Sequence, residues 1–574
     1  MKIKEYLGGL LEQVFNNLNI NKDLAKATFS EKEGVDLQCN ASFAIAKELR
    51  KSPIEVANLI VEEFNKINQE FEVSIANPGF INFKICDSLL TKIANDSLKD
   101  ERCNVPKLSK TKKMILDYGG ANVAKPLHIG HMRSAIIGQA LNRLNQFLGN
   151  TVISDVHLGD WGLQMGLTSA QLMDDYDMGY YFGENKPKVE ITIDMLDEAY
   201  PKASARKKED EEFMERASNI TLLLQQKAKG YYDIWQEFWK VSVDMVRNSY
   251  LNFRVDFDLW NGESTVNDSA NELIESMKKT GLIHESNGAF IMEVEKEGDK
   301  EPMPPALIQK HNGAQMYIIT DVATIWERCK QYKDLDKILY LTDNRQGLHF
   351  KQVFRVAEKA KLYPENVELE HITFGTVNGK DGKPFKTRDG GTVKLDDVFD
   401  IITSKAYEKL KENNIEPDYE LAKKIGLSAL LFGDMINVIS KDYIFDFDKF
   451  CSFDGKTGPY LQYTAVRIKS LLNKAEYNEK NKMEVNNDYL RKIVIQCLKV
   501  YDSFFVAYNE NSLNAICSAL FDLASVFSNL YNDVKILKIE DNIERNNYLS
   551  ACKLVLKTLD LGLGIIGIEI PEYM

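Results

Sequence analysis

Between residues 113 and 156 the chain packs three signals into one short span. Met114-Ile115-Leu116 is an apolar run ended by Gly119-Gly120. Ile129, Met132, Ile136, Ala140, Leu144 and Phe147 then recur at helical spacing, with Gly149 as the stop. Thr151 to Val156 is a second apolar run. Two buried strands joined by a helix must run parallel, because a crossover of that length carries the chain back to the same end of the sheet. This span therefore demands an α/β domain with a parallel sheet, and the loop after its first strand becomes the place to look for a ligand.

The rest of the 574 residues is divided around that unit. Residues 1–108 read as a small α+β domain. Ser52-Pro53-Ile54-Glu55 carries an N-cap, a proline at the first helical position and a glutamate three residues after the cap. Phe71-Val73-Ile75 and Ile81-Phe83-Ile85 alternate about Asn77-Pro78-Gly79, which predicts a hairpin. Residues 109–450 read as the catalytic domain, with strands again at Lys337–Leu341 and Ile372–Val377. Within it, 175–300 is expected to be a helical insertion, and the charged run Arg206–Glu212 a solvated helix face. Residues 451–574 are expected to be all helical, with apolar stripes over Leu490–Ala507 and Leu513–Leu537.

Charge narrows the partners. Seventy-two basic against 85 acidic residues give −13, which argues against indiscriminate nucleic-acid binding. From 456 to 574, however, there are 14 of each sign, so an RNA is tolerated there. No apolar run reaches the ~18 residues of a membrane span, and Met1-Lys-Ile-Lys-Glu lacks the apolar core of a signal peptide. The eight cysteines include no C-x-x-C pair. A cytoplasmic chain without disulfides, zinc or another resident metal is expected.

Two segments carry chemistry. Asn122-Val-Ala-Lys125-Pro-Leu-His128-Ile-Gly130-His131 falls between the first strand and the helix, where free backbone N–H groups favour an anion. Spacing alone leaves three readings of the histidines: a phosphate site, half of a metal site, or a solvent-facing pair. The second segment, Val377–Lys394, holds five basic and two acidic residues and four glycines. It suits a mobile polyphosphate clamp or, equally, a solvated hairpin.

Taken together they resemble the class I aminoacyl-tRNA synthetases. His128-Ile-Gly-His131 matches the HIGH signature, and the 379–391 loop stands where the KMSKS loop belongs. Gly159-Asp-Trp-Gly162, Lys383-Pro-Phe-Lys386-Thr-Arg388, Gly455-Lys-Thr-Gly-Pro-Tyr-Leu-Gln-Tyr463 and the ending Gly567–Met574 are similar to the arginyl members. The resemblance implies a Rossmann-like catalytic domain between an N-terminal tRNA-contacting domain and a helical anticodon-binding domain. It implies arginine activation by ATP, with Mg2+, and transfer to the 3′ end of tRNA(Arg), with activation dependent on tRNA, in a monomer.

The same resemblance assigns residues. His128, Gly130 and His131 would bind ATP and stabilise the α-phosphate, with His349 toward the adenosine. Asp117 and Asn122 would hold the backbone end of arginine; Tyr317, Asp321 and Gln346 would hold its guanidinium. Tyr531 and Met574 would meet the tRNA. The loop departs from the family pattern, having no literal KMSKS. Lys383, Lys386 and Arg388 are its cations, and Lys125, just before HIGH, is expected to supply the missing phosphate-binding charge. Two other readings stay open: a different adenylate-forming HIGH enzyme, and a non-catalytic tRNA-binding relative.

Overall fold

A computed structural model describes residues 2–310, 313, 315–383, 385, 393–413, 415–416 and 418–574. The chain divides into two compact units, Leu108–Tyr407 with Asn437–Asp448, and Met1–Lys107 with Glu408–Ile436 and Lys449–Met574.

The first of these holds a four-stranded parallel sheet. Its elements are β1 (Lys113–Asp117), α1 (Ile129–Phe147), β2 (Thr151–Asp155), α2 (Tyr317–Gln331), β3 (Lys337–Asp343), α3 (Gly347–Lys359) and β4 (Glu368–Phe374). The strand order is β4-β3-β1-β2. The chain leaves β1 toward one edge and returns to β3 on its other side. The strand order therefore reverses between β1 and β3, and a crevice opens at their carboxyl ends. Asp155, Asp117, Tyr340 and His371 lie at one level across the four strands. Ile115, Ile319, Val322, Ile338 and Val353 share the apolar core that fixes α2 and α3 against the sheet.

The insertion departs from its all-helical expectation. Helices run from Leu163 to Lys279, but His284–Ser286, Ala289–Met292 and Ala306–Gln309 form an antiparallel sheet. Gly281 at φ +69° ends the last helix, and Asn287-Gly288, both at positive φ, makes the two-residue turn of a hairpin. That Asn-Gly pair was the signal in the sequence. The charged run 206–212 is also not one helix face. Arg206 ends the helix Ile193–Arg206, Asp210 caps the helix Glu211–Gln225 through the N–H of Phe213, and Arg206 pairs with Asp174 and Asp210.

In the other unit a four-stranded antiparallel sheet contains the expected hairpin, Phe71–Ala76 with Phe80–Ile85. The Ser52–Glu55 capping box starts the helix Pro53–Ile67. The helices Gly458–Lys474, Asp488–Glu510, Asn514–Asp533 and Asn542–Ile565 make up most of the rest. The stripe expected to Leu537 stops at Asp533, and Ile536–Lys538 is a 3-10 turn. Arg491 ties the two parts of this unit together, donating to Asp36 (2.7 Å), the Ile85 carbonyl (2.8 Å) and Asp87. Among the described residues no helix is long and apolar enough to cross a membrane.

Candidate active site

His128 is the N-cap of α1 and His131 its third residue, and the two close a reciprocal capping box. Nδ1 of His128 accepts the N–H of Gly130, and Nδ1 of His131 accepts the N–H of His128, both at 3.1 Å. With Nδ1 accepting, each neutral ring carries its proton on Nε2. Burial, with Lys125 and Arg345 nearby, lowers His128 to about 4. Burial, with His128 and Lys125, holds His131 well below its ordinary value. Both rings are thus neutral Nε2–H donors beside free helix-terminal N–H groups, which suits phosphate oxygens. Gly130 serves His128 first: a Cβ there would lie 2.8 Å from that ring's Cε1.

Both histidines line a cleft of about 550 Å³ at the carboxyl ends of β1 and β3. Gly130, Lys125, Asp117, Asn122, Tyr317, Asp321, Gln346 and His349 line it too. Lys125 forms no ion pair among the described residues, and burial lowers its pKa. Its ammonium lies 5.9 Å from the centroid of the Tyr200 ring. An unpaired, partly desolvated ammonium is free to meet an anion. Lys383 sits in a tight turn closed by its carbonyl, which accepts the Gly379 N–H at 2.8 Å, and it is not among the residues lining the cleft. Lys386 and Arg388 lie outside the described residues. The far stem of their loop joins the histidine segment: Ile129 N–H donates to Val393 and Leu395 N–H to Leu127, at 3.3 and 2.9 Å.

The other end of the cleft is acidic. Asp321 lies inside α2, not at its cap, and Nε2 of His349 stands 2.5 Å from its Oδ2. The nucleotide and guanidinium assignments therefore meet in one contact. Tyr317 is 52% exposed and faces the cleft rather than the core. Asn122 is admitted by Gly159, where a Cβ would lie 2.2 Å from its Oδ1, and the backbones pair through Val123 N–H to Gly159 at 3.0 Å. Asp117, the last residue of β1, is held by Arg328 at 2.6 Å.

Two charged residues that the sequence reading did not assign, Glu263 and Arg345, also line the cleft. Glu263 has no hydrogen-bonded side-chain partner among the described residues, and burial, with Asp321 and Asp160 close by, raises its carboxyl well above the usual range. Nothing in Asn261-Gly262-Glu263 marks it in sequence, since it arrives from a loop paired beside Leu158. Arg345 was legible as a cation one residue before Gln346. It forms a bidentate pair with Asp343 at 2.7 and 3.0 Å.

The chain matches the models of three domains: the arginyl tRNA synthetase N-terminal domain over 1–85, the class I (R) tRNA synthetase catalytic domain over 92–447, and the DALR anticodon binding domain over 461–574. It is 40% identical to the arginine–tRNA ligase of Alkaliphilus oremlandii over 99% of both chains.

The chain belongs to the arginyl-tRNA synthetases.

The arginine–tRNA ligase of Francisella tularensis subsp. novicida is 39% identical over the full length of both. The crystal structure of the Plasmodium falciparum arginyl-tRNA synthetase shares the fold, with a TM-score of 0.84 at 22% identity over 100% of this chain and 99% of that one. The arginyl-tRNA synthetases charge tRNA(Arg) with arginine using ATP, by the class I reaction. In the helical part, Tyr531 packs on Phe527 with ring centroids 5.8 Å apart, and the Arg467 guanidinium is 5.1 Å from its ring. Met574 is half-buried at the end of a tail that Lys469 meets at Pro571 and Glu572.

Proposed function

We propose that the cleft binds ATP against the start of α1 and arginine between Asp117 and the acidic end, and that it forms arginyl-adenylate there. The observation that carries this is the pair of neutral Nε2–H donors facing the same cleft as the carboxyl groups of Asp117, Asp321 and Glu263. An arginine carboxylate oxygen attacks the α-phosphorus, the bond to the bridging oxygen breaks, and pyrophosphate leaves. His128, His131 and Lys125 meet the charge that grows on the phosphates. A terminal ribose hydroxyl of tRNA(Arg) then attacks the adenylate carbonyl and releases AMP.

Asp321 and Glu263 take the guanidinium, with Tyr317 and Gln346 beside it, because a delocalised cation wants planar carboxylate partners. Asp117 and Asn122 take the ammonium end. His349 lies toward the adenosine. Mg2+ would arrive on the phosphates of ATP. The group Asp117, Asp155 and His157 has the spacing of a cation site, but Arg328 already occupies both aspartates, so these residues do not fit a metal.

Residues 1–108 and 451–574 are the tRNA-contacting parts, with Tyr531 and Met574 as anticodon contacts, and Lys383, Lys386 and Arg388 serve as loop cations. Activation depends on tRNA, and the enzyme works as a cytoplasmic monomer. The test is ATP–pyrophosphate exchange with each of the twenty amino acids, with and without tRNA(Arg). Exchange with arginine alone, and only when tRNA is present, is the expected result. Exchange with another amino acid overturns the substrate assignment, and exchange without tRNA overturns the dependence.

A further inference from the structure

One guanidinium already belongs to the wall of the cleft. Arg328 is buried on α2, and its Nη2 donates to Oδ2 of Asp117 and to Oδ2 of Asp155, each at 2.6 Å. Its Nη1 donates to the Tyr340 hydroxyl at 3.1 Å. Those three acceptors are register neighbours on β2, β1 and β3. One side chain therefore bridges three adjacent strands, at the ends of β1 and β2 and the middle of β3. Like charges opposite each other on neighbouring strands repel. Arg328 relieves that repulsion by placing its positive charge between the two carboxyl groups.

The same helix carries the other end of the site. Tyr317, Asp321, Thr324 and Arg328 are spaced four, three and four apart, which places them on one face of α2. Tyr317 and Asp321 line the cleft, Thr324 reaches Nε2 of His157 at 3.4 Å, and Arg328 grips the strand ends. Asp321 and Arg328 are seven residues apart, about 10 Å along the helix. Where Arg328 is anchored therefore decides how far Asp321 stands from Asp117.

We propose that Arg328 is a positioning residue that sets the length of the amino-acid site, by docking α2 on Asp117 and Asp155 so that the ammonium and guanidinium acceptors are held one arginine apart. This rests on the reading that Asp117 takes the ammonium and Asp321 the guanidinium. A substrate one methylene longer or shorter then cannot satisfy both ends.

The experiment is pyrophosphate exchange, in the presence of tRNA(Arg), with arginine, homoarginine and 2-amino-4-guanidinobutyrate. Arg328→Lys keeps the charge but cannot span three acceptors. Arg328→Met with Asp155→Asn removes the cation together with one anion, so no extra buried charge is left unpaired. In the parent, one methylene should discriminate by roughly 10–200-fold. In both variants that preference should fall to within about fivefold and the arginine KM should rise about tenfold or more, with the ATP KM within about twofold. Unchanged length preference and arginine KM overturn the inference, as does a fall in kcat alone. If both variants lose their cooperative thermal transition at the assay temperature, Arg328 is a structural support only and the inference fails. Asp117→Asn and Asp321→Asn are run alongside. If they leave the arginine KM unmoved, the underlying reading has failed. If they raise it while the Arg328 variants behave as the parent, only the positioning role has failed.

Discussion

His349 and Asp321 share one short contact, Nε2 to Oδ2 at 2.5 Å, and both side chains face the cleft. A group placed toward the nucleotide thus touches a group placed on the guanidinium. With His349 on the nucleotide and Asp321 on the guanidinium, as proposed above, this contact would couple the two substrates as a free energy between their sites.

Asp321→Asn should therefore do two things. Loss of a charged partner from a desolvated guanidinium costs about 2–5 kcal/mol, so kcat/KM for arginine should fall by roughly 30-fold or more. It should also weaken the effect of His349→Asn on the ATP KM. Steady-state kinetics of the two single variants and the double variant measure this. Strict additivity would show that the contact does not couple the substrates.

Glu263→Gln should separate function from stability. The carboxyl is raised well above its unfolded value, so the native state holds its proton more tightly and loses stability as pH climbs above about 4.5. The amide removes that penalty. Melting temperature should rise relative to the parent at pH 8 and be nearly unchanged at pH 4.5, while the arginine KM increases. A lower melting temperature at pH 8 would contradict the assignment.

His128→Asn and His131→Asn should each slow adenylate formation by roughly 10²–10³-fold, since each removes an Nε2–H donor aimed at growing charge. The pH dependence has a definite sign. His128 titrates at about 4 in the folded chain, below its unfolded value near 6.5. The unfolded chain therefore binds more protons between those limits, and stability falls as pH drops from about 6.5 to 4. Thermal melts across that range should show a shallower acid loss in His128→Asn than in the parent. Activation within a few-fold of the parent in both variants would remove the phosphate role.

Lys125→Met keeps the length of the side chain and removes its charge. It should slow adenylate formation by about one to three decades, as expected for a cation that acts in the transition state. Transfer from preformed arginyl-adenylate should change less, because pyrophosphate has already left. Single-turnover assays of each step, beside Lys386→Met, decide the matter. Intact activation in Lys125→Met with abolished activation in Lys386→Met would assign the work to the loop.

The parallel β1–α1–β2 unit, the Ser52–Glu55 cap, the 71–85 hairpin and the helical C-terminal part were legible because each rests on contacts within about forty residues of chain. Periodicity and capping chemistry are local, so the sequence states them directly. The histidine pair was legible for the same reason, as was the Tyr317–Asp321 face. The Asn287-Gly288 hairpin is equally local, with its turn residues side by side in the sequence. Glu263 beside Asp321, His349 on Asp321, and Arg328 across Asp117, Asp155 and Tyr340 were decided by the tertiary structure alone. Their partners are 12 to 211 residues apart where they touch. Such pairs leave no period in the sequence, and they meet only because the order and register of the parallel strands bring them to one end of the sheet. The identity of the donors and acceptors was set by the chain. Their distances, and hence which of them bind one substrate together, were set by the packing of α2 and α3 on the sheet.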